Sequence, residues 1–142
     1  MKILLAVDGS KSSLDAVDSL VEHAGWYREA PQVELVNVQL PVPKLPNMGS
    51  VVSKGQIQKF YDEEGAAALA GAQKKLSAAG LRFESRVLVG PVAETLVQHA
   101  KRSSCELIVI GTRGMSTLGK AFLGSTADKV LRLSETTVLL VK

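Results

Sequence analysis

Glu106-Leu107-Ile108-Val109-Ile110-Gly111-Thr112-Arg113-Gly114-Met115-Ser116-Thr117-Leu118-Gly119-Lys120-Ala121-Phe122-Leu123-Gly124-Ser125-Thr126 is the stretch on which the fold turns. It opens as a short branched apolar run, residues 106–110, which reads as a buried strand. It then passes through a glycine-containing loop and enters a helix read over Ser125–Leu133. Glycines let backbone N–H groups approach an anion with no Cβ in the way. A helix start adds unpaired donors and the positive end of the peptide dipole. Ser125 and Thr126 add hydroxyls at the same point. One charge–dipole contact is worth only about 0.3–1 kcal/mol, so a polyphosphate needs several converging donors. This loop can supply them.

The rest of the chain repeats the same alternation. Ile3–Val7 reads as the first strand and Ser10–Arg28 as a helix, with Leu14, Val17, Leu20, Val21 and Ala24 on one face and Ser10 as N-cap. Val33–Leu40 is the second strand. Residues 41–55 hold Pro41, Pro43, Pro46, Gly49 and Gly55 and read as a flexible loop or lid. A long helix over Gln56–Ala79 ends at Gly80. Leu81–Val89 is the third strand. Gly90-Pro91 opens a helix running to Ser103, with Pro91 in its first turn. Thr137–Val141 is the fifth strand. Five strands alternating with helices predict an α/β fold, a parallel sheet with helices on both faces. Ligands of such sheets sit beyond the carboxyl ends of the strands, where strand order reverses. The candidate loops are therefore Asp8-Gly9-Ser10 and the segment from Gly111 onward.

Composition narrows the function classes. The chain has 142 residues, the size of one domain, and is expected to form one over 1–142. Aromatics are only 4%, so the core must be built from Val, Leu, Ile and Ala. The net charge is +3, but the basic residues are scattered without interleaved aromatics, which argues against a nucleic-acid partner. The first apolar run stops at Asp8, too short for a secretory leader, and no run reaches membrane-span length. Cys105 is the single cysteine, read as a small core or edge residue. A cytoplasmic location without membrane contact is the expectation.

Two local readings compete with nucleotide binding. Gly114-x4-Gly119-Lys120 matches a P-loop up to Ala121, where Ser or Thr should hold magnesium, so a P-loop is not supported. Ser125 with Asp128 resembles a capping box, a purely structural role that still leaves amides free. Asp8 either caps the first helix or faces a ribose hydroxyl or a metal.

The spacing Gly-x2-Gly-x9-Gly-Ser, here Gly111, Gly114, Gly124 and Ser125, resembles the ATP-binding signature of the universal stress protein family. Val7-Asp8-Gly9-Ser10 after the first strand and Gly90-Pro91 also look like the family, and the resemblance spans the chain. It implies an open five-stranded parallel sheet of order 3-2-1-4-5, Rossmann-like and adenine nucleotide alpha hydrolase-like. It further implies ATP in the crevice, accompanied by a divalent ion such as Mg or Mn at the phosphates. By similarity, Ala6, Val7 and Asp8 lie against the adenosine, Asp8 toward the ribose, and Val38 meets the adenine. Gly111, Arg113 and Gly114 line the ribose and phosphate path, and Gly124, Ser125 and Thr126 bind the phosphates. Family members that do not bind ATP depart from this glycine spacing. The resemblance also implies a homodimer through Thr137–Val141, in keeping with an apolar edge strand that needs cover.

The functional expectation is an ATP-binding regulatory module of the stress response rather than an enzyme. A slow ATPase or phosphotransferase and a ligand-free dimeric scaffold are the alternatives. Hydrolysis needs a group that positions water. His23 and His99 both fall in helices and read as surface histidines, and Asp8 would serve only beside a metal.

Overall fold

A computed structural model describes residues 1–43, 52–113 and 123–142. The elements are β1 Lys2–Ala6, α1 Lys11–Glu22, a 3₁₀ turn at Ala24–Trp26, β2 Gln32–Gln39, α2 Lys54–Ala78, β3 Phe83–Val89, α3 Val92–Arg102, β4 Leu107–Gly111, α4 Ser125–Leu133 and β5 Thr137–Val141. The strands form one sheet of order β3-β2-β1-β4-β5, and every neighbouring pair is parallel. The expected order and class are therefore observed.

The inner strands β1, β2 and β4 bury both faces, which is why β1 and β4 read as continuous apolar runs, while the edge strands β3 and β5 are largely exposed. Ile3, Leu5, Val7, Val33 and Leu35 pack against Ala16, Val17 and Leu20 of α1 and Leu69, Ala72 and Leu76 of α2. The alternate residues Leu4, Ala6, Val36, Ile108 and Ile110 pack against Ala93, Leu96 and Ala100 of α3 and Ala127 and Val130 of α4. Period-two alternation along each strand thus feeds two separate cores.

Several boundaries differ from the sequence reading, each for a local reason. The first helix ends at Glu22, where the His23 amide closes on the Ser19 carbonyl and its ring Nδ1 lies 2.7 Å from the same oxygen. The long helix starts at Lys54, inside the expected 41–55 loop, because Ser53 and Gln56 form a reciprocal capping box. Pro91 is the N-cap of α3 rather than its first helical residue. The loop reading otherwise falls largely on residues 44–51, outside the described residues.

The register decides where a ligand can sit. Ala6, the last residue of β1, is paired with Val36 on one side and Ile110 on the other, and β2 runs on past this level to Gln39. The chain crosses from β3 to β4 past two strands, which makes β1/β4 the point of reversal.

Candidate functional site

A cleft of about 1170 Å³ opens above the carboxyl ends of β1, β2 and β4. That is somewhat above the roughly 300–1,000 Å³ typical of ligand pockets. Its floor is Ala6, Val36 and Ile110, the three register partners. Nine of the ten residues expected from sequence line it: Ala6, Val7, Asp8, Val38, Gly111, Arg113, Gly124, Ser125 and Thr126. The tenth, Gly114, lies outside the described residues, as does the Gly119-Lys120-Ala121 portion of the P-loop near-match.

The β1 side is shaped by a tight turn. Gly9 has φ +83°, a left-handed conformation that disfavours a side chain. It lets the backbone pass close to Ala68 of α2. Asp8 Oδ1 accepts from the Ser10 amide at 2.9 Å, and Ser10 in turn caps α1 by accepting from the Ser13 amide. Asp8 therefore supports the turn through one oxygen while its exposed carboxylate borders the cleft. The structural and functional readings of Asp8 coexist.

The β4 side carries the donors. Gly124 donates its amide to the Thr112 carbonyl at 2.7 Å, closing the base of the glycine loop. The Arg113 amide donates to Ser12 Oγ at 3.2 Å, tying the departing chain to α1. Gly124 is the N-cap of α4 and no side chain caps that end. The expected capping box at Ser125 is thus replaced: Ser125 is the first helical residue, not the cap. Helix geometry leaves the first-turn amides of Ser125, Thr126 and Ala127 without intrahelical acceptors. All three residues line the cleft, beside the Ser125 and Thr126 hydroxyls and the Arg113 guanidinium. The arrangement offers convergent donors to an anion.

Residues that the sequence reading did not single out complete the opposite wall. Asn37, only 2% exposed, donates its side-chain amide to the Val7 carbonyl at 2.8 Å and accepts from Gln39 Nε2 at 2.6 Å. Phe60, Glu64, Ala67 and Ala68 face the cleft from one side of α2. Their spacing of four, three and one is a helical face, but this mix of aromatic, acidic and small side chains carries no sequence signal of its own.

The chain also carries a buried ionic cluster, at Lys2, Glu34, Arg86 and His99. Glu34 is 2% exposed, with Lys2 Nζ at 2.8 Å, Arg86 Nε at 3.0 Å and His99 Nε2 at 3.3 Å. Burial alone would push this carboxyl up. Hydrogen bonds from Lys2, His99 and Arg86 outweigh it and hold the carboxyl down at about 2. A carboxylate only accepts, so His99 Nε2 carries the proton. His99 is buried, contrary to the surface position expected for it, because Glu34 gives it a partner in the core. Burial likewise pushes the Cys105 thiol up, consistent with an inert core cysteine.

Comparison with known proteins adds a decisive observation: a sequence model of the universal stress protein family matches residues 1–142. The chain belongs to the universal stress protein family. A universal stress protein of Bacillus subtilis, YxiE, is 32% identical over 149 residues, covering 99% of this chain and 98% of its own length. A universal stress protein crystallised in complex with cAMP is 28% identical, with a TM-score of 0.72, covering 100% of this chain and 97% of that one. Universal stress protein UspA from Lactobacillus plantarum has a TM-score of 0.81 at 20% identity, covering 100% and 97%, and shows the shared fold. The adenine nucleotide alpha hydrolase-like architecture expected from the sequence is thus that of the universal stress proteins.

Proposed function

We propose that this universal stress protein binds ATP in the β1/β4 cleft and serves as a nucleotide-dependent regulatory module. The observation that carries the reading is the uncapped start of α4, with the Ser125 and Thr126 hydroxyls and Arg113, facing an apolar floor. A nucleotide needs that combination: a dry surface for the base and converging donors for the phosphates. The cAMP carried by a 28% identical universal stress protein supports an adenine nucleotide as the ligand class. The Gly111, Gly114, Gly124-Ser125 spacing supports a chain of phosphates rather than one. In this reading Asp8 faces the ribose and Val38 the adenine. A magnesium or manganese ion would rest mainly on phosphate oxygens. Hydroxyl and carboxylate oxygens nearby suit such hard cations, which take few protein ligands.

We read the module as binding without rapid turnover. His99 is engaged by Glu34, His23 Nδ1 lies against the Ser19 carbonyl, and Asp8 Oδ1 is held by the Ser10 amide. Neither histidine lines the cleft, and the Asp8 carboxylate that borders it is the one candidate among these three for activating water there. The protein acts as a cytoplasmic homodimer in this account. The dimer reading is supported by β5, an edge strand with Leu139 42% exposed, flanked by exposed Leu131 and Leu133 of α4.

The test is to heat-denature freshly purified protein and resolve the supernatant by ion exchange. Adenine nucleotide near one per chain is expected. A nucleotide-free supernatant, together with no ATP binding to the refilled protein, would favour a ligand-free scaffold. Magnesium-dependent phosphate release over many turnovers, abolished by Asp8→Ala, would favour an enzyme.

A further inference from the structure

We infer that the outer edge of β3 pairs antiparallel with β3 of a second copy of this chain, about a two-fold axis at Ser85. β3 ends the sheet, and among the described residues no strand pairs with its outer side. Two hydrogen bonds fix which backbone groups point outward. The Val33 amide donates to the Arg82 carbonyl, and the Gly90 amide donates to the Gln39 carbonyl. Residues facing a neighbouring strand alternate, so Arg82, Glu84, Arg86, Leu88 and Gly90 turn their backbone groups toward β2. Phe83, Ser85, Val87 and Val89 turn theirs toward the open edge. Glu84, Ser85 and Arg86 are exposed. The overlying helix leaves the approach open. Gln73 of α2 donates to Ser85 Oγ at 2.9 Å, and the next residues on that side of the helix, toward its start, are the short and exposed Ala70 and Ala66.

Charge names the occupant. Charged residues on an edge strand usually keep other strands away. Here Phe83-Glu84-Ser85-Arg86-Val87 is complementary to itself when reversed. An antiparallel pair centred on Ser85 sets Glu84 opposite Arg86 of the second copy, and Phe83 opposite Val87. The outward-facing Ser85/Ser85 and Phe83/Val87 pairs then exchange the hydrogen bonds. The Glu84/Arg86 pairs fall at the non-hydrogen-bonded positions, where opposed side chains come closest. Moving the centre one residue forward sets Arg86 against Arg86. Moving it one residue back sets Glu84 against Glu84, and Arg82 against Arg86. The charges thus select a single register instead of forbidding pairing. Arg86 is already positioned for it: Glu34 holds Nε at 3.0 Å and Glu84 of the same chain holds Nη2 at 2.9 Å. A guanidinium has five donors, so Arg86 can accept a second exposed carboxylate without releasing Glu34. The contact lies at the opposite end of the sheet from β5 and does not depend on pairing there. It is short and rich in polar groups, so it forms at concentrations well above micromolar.

Analytical ultracentrifugation of the full chain from about 10 μM to about 1 mM, the range of weak contacts, tests the pairing. The average mass is expected to climb by about half or more over that range, whatever its micromolar value. Ser85→Pro removes an outward N–H and places the ring in the path of the second strand. Proline is tolerated on an edge strand when its missing N–H faces solvent, so this variant should keep its helical circular dichroism and hold a constant mass. Glu84→Lys sets lysine against Arg86 of the second copy and should weaken the association at least about tenfold. Glu84 is exposed, so the lysine variant folds and decides the matter even where the proline variant does not. A mass that stays flat to 1 mM in the unaltered chain, or a rise that survives either substitution in a folded protein, overturns the inference. Both outcomes leave the nucleotide and β5 readings untouched.

Discussion

The Cβ that Gly111 lacks would sit 2.5 Å from the Ser12 carbonyl oxygen and 2.7 Å from Ser12 Oγ. β4 and the start of α1 therefore meet backbone to backbone beneath the cleft. The same Ser12 hydroxyl holds the Arg113 amide. Gly111→Ala has no flexible neighbour to displace. It should destabilise the fold by about 1–3 kcal/mol, the usual cost of overpacking a tight contact. Thermal unfolding should show this, and ATP affinity should fall with it, because the phosphate loop leaves from this point. An unchanged melting temperature would show that α1 and β4 separate more easily than their contact implies.

Glu34 makes stability depend on acidity. Its folded carboxyl, at about 2, lies below the usual value near 4.5 of the unfolded chain. The folded state therefore prefers the ionised form, and the stabilisation is fully present above about pH 5. It is lost progressively as pH falls through 4.5 toward 2. The shift corresponds to roughly 3 kcal/mol. Glu34→Gln should lower stability at pH 7 and flatten the acid limb of a denaturant-stability profile. An acid limb as steep in the variant as in the parent would remove Glu34 from the account.

Gly65 and Val87 make a second close approach, between the middle of α2 and β3. A Cβ on Gly65 would overlap both methyl groups of Val87. Helix propensity alone favours Ala over Gly by about 1 kcal/mol. Gly65→Ala should nevertheless destabilise, because the obstacle is a branched side chain with few rotamers. The double variant Gly65→Ala/Val87→Ala should recover part of the loss, a coupling that a double-mutant cycle in urea measures.

Leu139→Lys tests the proposed homodimer. The side chain is 42% exposed on an edge strand, so a monomer should tolerate lysine with a change within about 0.5 kcal/mol. A dimer built on β5 should dissociate. Light scattering at micromolar concentration is expected to show the parent at twice the chain mass and the variant at the chain mass. A monomeric parent would refute the dimer reading.

Much of this was legible in the sequence because parallel strands buried on both faces read as plain apolar runs. β5 and α4 stand where the pattern placed them, and Gly80 follows α2 as read. Nine of the residues that the family resemblance named also line one cleft, because they stand at strand ends and in the glycine segment that follow from the strand pattern. What was not legible is long-range pairing. Nothing adjacent to His99 announces Glu34, 65 positions away. Asn37 likewise looks like an ordinary polar residue in a strand until the Val7 carbonyl, 30 positions earlier, lies beside it. Helix ends shifted for local reasons that the reading passed over, such as the Ser53-x-x-Gln56 capping box at the start of α2.

Calorimetric titration of ATP into the parent protein and into Ser125→Ala/Thr126→Val tests the central claim most directly. Both substitutions are nearly isosteric and remove only hydroxyls from the start of α4. The account predicts saturation at one nucleotide per chain for the parent, and an affinity at least about tenfold weaker for the variant at unchanged melting temperature. No heat from the parent up to millimolar ATP, or equal affinity in the two proteins, would contradict it.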